Sequence, residues 1–467
     1  MDGQPGTGYF EDDRRHLLHP FAEFPASLEN GSRFFARGEG AWIHDSGGKR
    51  FLDGIGGLWC VNIGYGRQEM VRAIAEQAAA LPYYNTFTDM SSEPAATLAA
   101  KLSELAPGDL NRVFFTTGGS LSVDTAVRLA HYYFQARGRP SKKLILARRD
   151  GYHGSTYLAA SISGSAQNLA GFHHLAGGES PLVHHLASPN LYRAPAGLSE
   201  AGYLAWLIAE LEARIAELGA ENIACFVAEP IIGAGGVLIA PRGYHRAALE
   251  VCRKNDILYV CDEVVTGFGR LGWMFSSEPV FDICPDLIVC AKGISSGYIP
   301  LGAVIFSERI FECIAKPNPR TSVFSHGFTY SGHPVACAAG LANLEILERE
   351  DLCGRVRALA PEFKRALASL ASLEIVGDVR GEGFMHAIEF VADKAAKRSF
   401  DSAVGIGKRV ADAAFHRGLI ARNVGDLIIL SPPLILTGEQ IDELAQTLHA
   451  AIRSVMEDLR RESLWDG

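Results

Sequence analysis

From about residue 67 to about residue 310, short uninterrupted apolar runs alternate with segments of helical spacing, and few architectures accept that pattern. A strand that is apolar at every position offers no face to water. It belongs in a parallel sheet with helices on both sides. Three repeats are clear. Helical spacing over 121–137 stops at Gly138, and 143–147 (KLILA) reads as a strand. A helix over 199–218 ends near Gly219 and is followed by a strand over 223–228. A helix over 243–254 leads into a strand over 257–261, and 286–291 (DLIVCA) makes one more.

The flanks read differently. The first thirty residues are polar, with Pro20 and Pro25, and suggest an arm or lid. Residues 41–53 read as a hairpin turning at Ser46-Gly47-Gly48. Beyond residue 333 a long helical stretch covers 334–372. Strand-like pieces follow at 373–377 and 383–391, then a helix at 402–417, a hairpin at 419–431 and a terminal helix from 438. With 467 residues, 48% of them hydrophobic, the chain can bury two cores. The expectation is an α/β protein. Residues 65–333 form a large domain with a mostly parallel central sheet between helices, and 334–467 form a smaller α+β domain. Residues 1–64 supply the arm and part of the small domain.

A formal net charge of -9 argues against a nucleic-acid partner. The short basic clusters Arg137-Gly138-Arg139 and Lys142-Lys143 read as solvated loop or helix ends. The nine cysteines include no C-x-x-C pair and lie mostly in apolar runs, as buried thiols of a reducing compartment do. The N-terminus shows no basic segment followed by an apolar one, and no apolar run is long enough to span a bilayer. A cytoplasmic protein without a membrane segment is expected. The adjacent pairs His173-His174 and His184-His185 complete no ligand set, so no metal is expected.

Two strands end in reactive residues. Ile257-Leu258-Tyr259-Val260-Cys261 runs into Asp262-Glu263, and Asp286-Leu287-Ile288-Val289-Cys290-Ala291 runs into Lys292-Gly293. Ligands of open α/β sheets sit beyond the carboxyl ends of the strands. Alone, either acid also suits an ordinary helix cap, and a lone lysine would reach for water. Together, an amine and a carboxylate at one sheet edge are what pyridoxal 5′-phosphate (PLP) requires. The amine forms an imine with the aldehyde carbon, and the carboxylate keeps the pyridine nitrogen protonated. Phe114 to Thr125 adds a Gly118-Gly119-Ser120 turn opening a helix, where free N–H groups and the helix dipole favour a phosphate. A plain strand-to-helix turn reads the same way. Tyr152, in Arg149-Asp150-Gly151-Tyr152-His153-Gly154, can stack on a flat ring or serve the core.

These residues together resemble the class III (ω-type) aminotransferases of PLP fold type I, nearest the ω-amine, β-alanine or taurine:pyruvate subgroup. Gly57-Leu58-Trp59-Cys60-Val61-Asn62-Ile63-Gly64-Tyr65-Gly66, Tyr84-Asn85-Thr86-Phe87, Ala291 to Tyr298 and His326 to Pro334 carry the likeness. It runs in family order from about residue 16 to about residue 455. It implies Lys292 as the imine-forming lysine and proton shuttle, and Asp262 as partner of the ring nitrogen. Tyr152 and Val264 would cover the two ring faces, and Gly119 and Ser120 would hold the phosphate. Glu229 would lie close to the cofactor. Phe328 and Thr329 would complete the cofactor site of a partner subunit, which implies a homodimer with sites at the interface. Phe21, Trp59, Phe87, Tyr152 and Ala234 would line the substrate pocket, and Arg422 would bind a substrate carboxylate. Two positions depart from the family pattern: Leu121 stands where many members carry an acid, and Ile232 where many carry Gln.

The implied function is transfer of an amino group from a primary amine or ω-amino acid to a keto acid, pyruvate foremost, by a ping-pong mechanism through a Lys292 Schiff base. The alternative on the same residues is other PLP chemistry: an aminomutase, racemase or decarboxylase. A nucleotide-binding protein without PLP lacks its glycine fingerprints here, and a non-catalytic binding protein would have no use for both Lys292 and Asp262.

Overall fold

The computed structural model describes residues 8–22, 31–165, 169–170, 175, 181–319 and 323–465. Near the N-terminus, β1 (Phe35–Glu39), β2 (Trp42–Asp45) and β3 (Arg50–Asp53) form an antiparallel meander, with the 46–48 turn where the sequence puts it. The next strands are β4 (Leu110–Thr116), β5 (Leu144–Arg148), β6 (Val183–Leu186) and β7 (Ile223–Ala228). A two-stranded ribbon of β8 (Ile231–Ile232) and β9 (Leu238–Ile239) follows, then β10 (Leu258–Asp262), β11 (Leu287–Cys290) and β12 (Gly302–Ser307). The central sheet has seven strands in the order β4-β12-β11-β10-β7-β5-β6, and β12 alone runs against its neighbours.

The apolar runs read from the sequence are the middle of this sheet. Every residue of β7, β10, β11 and β12 is buried. Successive residues feed opposite cores, as pleating demands. Val227, Val260 and Val289 join one apolar cluster, while Phe226, Tyr259 and Ile288 join the other. The expected helices stand at Gly119–Ala136, Glu200–Leu218 and Tyr244–Lys254. Ser199 caps the second, its hydroxyl accepting from the Gly202 N–H at 3.1 Å.

The C-terminal part corrects three expectations. The stretch 334–372 is two helices, Pro334–Arg349 and Leu352–Ala368, and a short turn at Ser369–Ser372. The break falls at Asp351, in the left-handed region at φ 41°, whose carboxylate caps the second helix. The strand expected at 373–377 begins only at β13 (Val376–Glu382), because turn hydrogen bonds persist through Leu373. It pairs with β14 (Met385–Phe390). A helix covers Ile406–His416. The hairpin expected over 419–431 is divided between two sheets. β15 (Leu419–Ile420) lies parallel to β3, whereas β16 (Arg422–Val424) and β17 (Leu427–Leu430) form the hairpin proper and extend β14. A pairing partner more than 350 residues upstream leaves no local trace. The helix Gly438–Arg461 closes the chain behind a capping box of Thr437 and Gln440.

No helix among the described residues is long and apolar enough to cross a membrane. No group of three or more potential metal ligands occurs among them. His184 and His185 sit on β6, and His173-His174 lie outside the described residues.

Candidate active site

β10 and β11 are neighbours in parallel register, with Asp262 opposite Val289, so their carboxyl ends open onto the same edge. Asp262 is 4% exposed there. Its carboxylate accepts from the Val264 N–H at 3.1 Å and from His153 Nδ1 at 2.6 Å. Since a carboxylate here acts as acceptor, Nδ1 carries the proton. The neighbour Glu263 has a different task. Buried, it accepts from the N–H groups of Ser276 and Ser277 and from the hydroxyls of Thr266 and Ser276, and so braces the following loop.

Lys292 follows β11 in the left-handed region, at φ 49°. Its amine makes no hydrogen bond or ion pair among the described residues. Burial holds it below the usual lysine range and Arg422 adds repulsion, against attraction from Asp262 and Glu229. Glu229, just past β7, is pushed the other way by burial, with His153 opposing and Asp262 adding to the rise. Its two oxygens accept from the N–H groups of Tyr152 at 3.0 Å and Gly233 at 2.9 Å.

The Gly118-Gly119-Ser120 turn opens the helix that follows β4. A Cβ on Gly119 would lie 3.2 Å from the Val264 methyls and 3.8 Å from Ala291, so this turn borders the Lys292 strand end. Ser120 Oγ accepts from the Ser155 N–H at 3.1 Å. Tyr152 bonds Ser155 through its hydroxyl at 3.0 Å, and its ring meets the edge of Phe21 at 6.3 Å. Burial also lowers the Arg422 guanidinium, with Tyr152 pulling against it. Arg422 has no side-chain partner among the described residues. Ala234 is half-buried in the turn after Gly233. Trp59 is buried at φ 65°, and its neighbour Cys60 feels the Lys292 charge.

Asp262, Lys292, Glu229, Tyr152, Val264, Gly119, Ser120, Phe21 and Arg422 are thus linked by contact or by charge. Phe87 and Thr329 belong to the neighbouring 83–90 and 326–334 segments, which meet, and the Phe328 ring lies 5.1 Å from that of His326, which bonds Thr125 of the helix opened by Gly119. A Cβ on Gly327 would meet the Phe87 ring at 3.2 Å, and the Thr329 carbonyl accepts from the Tyr83 hydroxyl at 2.7 Å. Reading the sequence missed His153. Its only signal was a place beside Tyr152, because the bond to Asp262 spans 109 residues. At the departures, Ile232 is fully buried in β8. Beside Leu121, Ser122 is tied to Thr116 at 2.7 Å.

The arrangement fits a flat phosphorylated heterocycle bearing an aldehyde. It offers an open helix turn with a hydroxyl, a buried carboxylate and an amine with no partner among the described residues. A family model for class-III aminotransferases matches residues 25–452. The putrescine–pyruvate aminotransferase of Pseudomonas aeruginosa is 41% identical over 432 residues, 92% of each chain. An (S)-enantioselective ω-transaminase from Thermomicrobium roseum superposes with a TM-score of 0.93 at 41% identity, covering 97% of this chain and 100% of that one. A PMP-bound aminotransferase from Vibrio fluvialis gives 0.92 at 36% identity, covering 97% and 99%. The chain therefore belongs to the class-III aminotransferases, enzymes that depend on pyridoxal 5′-phosphate.

Proposed function

We propose that this aminotransferase moves an amino group from a primary amine or ω-amino acid to pyruvate, in two half-reactions that share one pocket. The observation that carries the reading is a lysine and an arginine, within reach of each other's charge, that have no side-chain partner among the described residues. Burial holds the Lys292 amine below the usual lysine range. Arg422 has a half-buried guanidinium with no carboxylate partner among the described residues. Putrescine and pyruvate are the substrates named for the relative from Pseudomonas aeruginosa.

When bound, PLP supplies an electron-withdrawing ring that stabilises negative charge at the carbon bearing the amine. Asp262, fixed by His153 and the Val264 N–H, would hold the ring N–H. Gly119 and Ser120 would hold the phosphate at the helix N-terminus, and Tyr152 and Val264 would cover the ring faces. Glu229 orients Tyr152 through its backbone N–H. Lys292 Nζ, held below the usual lysine range by burial, takes the proton from the amine-bearing carbon as base and returns it as acid. Arg422 binds the carboxylate of the acceptor with two bonds, and its long side chain withdraws for an uncharged amine. Phe21, Trp59, Phe87 and Ala234 would bound the apolar part.

The reading extends to a homodimer in which Thr329 and Phe328 serve the partner's cofactor. Tyr83, Tyr84, Phe87, Met90 and Tyr330 are all exposed in the single chain, a patch that fits burial against a second copy. We assign domain limits of 1–64, 65–333 and 334–467, and a cytoplasmic location in keeping with nine free cysteines.

The test is a donor panel with pyruvate, followed by alanine formation and by visible absorbance. Amine alone should bleach the bound cofactor, pyruvate should restore it, and initial rates should give parallel double-reciprocal lines. Intersecting lines, or turnover without alanine, would instead favour aminomutase, racemase or decarboxylase chemistry.

A further inference from the structure

In the four-stranded sheet β13-β14-β17-β16, Arg380 pairs with Ala387, Ala387 with Ile429, and Ile429 with Arg422. Directly opposed residues of antiparallel strands present their side chains on one face. Arg380 and Arg422 therefore share a face, three strand spacings or about 14 Å apart. The residues between them, Ala387 and Ile429, pack in one cluster with Trp59 and Val237. This face is a floor of the site.

The two arginines on it are treated in opposite ways. Arg422 has no side-chain partner among the described residues. Arg380, 11% exposed in its side chain, donates from Nη1 to Asp378 at 2.8 Å and to Glu389 at 2.6 Å. The other Glu389 oxygen accepts from Arg193 Nη2 at 2.6 Å. Arg380 Nε donates to the Gly236 carbonyl at 2.8 Å. Gly236 closes the turn that carries Ala234, its N–H bonding the Gly233 carbonyl at 3.0 Å. The other end of that turn hangs on Glu229 through the Gly233 N–H. One end of the Ala234 turn is thus fixed to the cofactor side and the other to the sheet that bears Arg422.

We propose that Arg380, locked by Glu389, is a positioning residue that sets the distance between the Ala234 turn and Arg422, and so sets which substrates fit opposite a held carboxylate. The proposal rests on the reading of Arg422 and Ala234 as substrate contacts. A guanidinium is a rigid planar fork, and here its Nε and Nη1 bonds fix the Gly236 carbonyl relative to Glu389. Lysine keeps the charge and loses that fork.

Arg380→Lys and Glu389→Gln are compared with the parent holoenzyme on β-alanine and on n-butylamine, with pyruvate as acceptor. The ratio of kcat/KM for β-alanine to that for butylamine should fall about tenfold, chiefly through KM, because small misplacements of binding groups are costly. Cofactor absorbance should stay unchanged. A ratio within about twofold of the parent in whichever variant folds, with only the melting temperature lowered, makes the network mere bracing and overturns the proposal. Arg422→Ala run in parallel separates the two layers. If it leaves the ratio unchanged, the reading of Arg422 falls and takes this inference with it. If it collapses the ratio while Arg380→Lys and Glu389→Gln do not move it, the positioning role alone is lost.

Discussion

Asp262 and Glu263 are adjacent, both buried and both acidic, yet their partners give them different roles. Asp262 ends on His153 and faces the site, while Glu263 is consumed by Thr266, Ser276 and Ser277. If Asp262 pairs with the ring nitrogen as proposed, Asp262→Asn should cut kcat on the order of 10²-fold or more with little change in melting temperature, since it removes that charge. Glu263→Gln should do the reverse, costing about 1–3 kcal/mol of stability by leaving buried donors unmatched, with kcat per folded enzyme near the parent's. Steady-state kinetics and thermal melts decide both. His386 shows the same dependence on surroundings. It packs 4.7 Å from the Phe363 ring with neither ring nitrogen bonded to a described residue, and burial pushes it down to about 3. An unfolded histidine takes up its proton near pH 6.5, whereas this one resists until about 3. Stability is therefore lost as pH falls through that window, by about 1.4 kcal/mol per pH unit. His386→Leu should lose about 2 kcal/mol less than the parent between pH 7 and pH 5 in denaturant titrations.

At the scale of elements, the site is built where chain segments nearly collide. Gly154 lies at φ 137°, and a Cβ there would fall 2.4 Å from Ser120 Oγ and 2.7 Å from its Cα. Only glycine lets the loop after β5 rest on the turn after β4. Gly154→Ala should push Ser120 away from the place proposed for the phosphate and weaken PLP binding at least about tenfold, a loss of about 1.4 kcal/mol. Equilibrium titration of apoenzyme with PLP measures it, and an unchanged dissociation constant would show that the Ser120 turn does not hold the phosphate. Such contacts explain what was legible and what was not. The apolar runs of β7, β10 and β11 disclosed the sheet, because burial on both faces imposes composition on every residue. The split of 419–431 between two sheets was not legible, because Leu419 and Ile420 find their partners on β3.

Across the whole molecule, the ends of the chain are sewn together. β15 lies on β3, and Arg270, fully buried in the middle of the sequence, donates to the Phe384 and Pro432 carbonyls and to Asn62 Oδ1 at 2.8 Å. A fragment of residues 334–467 would leave β15 without β3 and the Phe384 and Pro432 carbonyls without this cation. It should show no cooperative thermal transition by circular dichroism, and a sharp one would mean that the C-terminal part folds independently of residues 1–64. Glu389 and Arg380 belong to this scale too. They join the loop of Arg193, the turn of Ala234 and the hairpin of Arg422, which the sequence separates widely.

The sequence by itself determined the layered α/β character, the strand ends bearing Asp262 and Lys292, and, by resemblance, the family. Each is written in local composition and order, which periodicity and motif expose directly. Tertiary structure alone decided that His153 rather than Glu263 accompanies Asp262, that the last strand of the N-terminal hairpin and the 419–420 strand share a sheet, and that Arg380 is spent on neighbours while Arg422 has no side-chain partner among the described residues. Those outcomes depend on which distant groups meet in a place with little water. Hydrogen-bond satisfaction and burial settle such meetings, and neither can be read along one dimension.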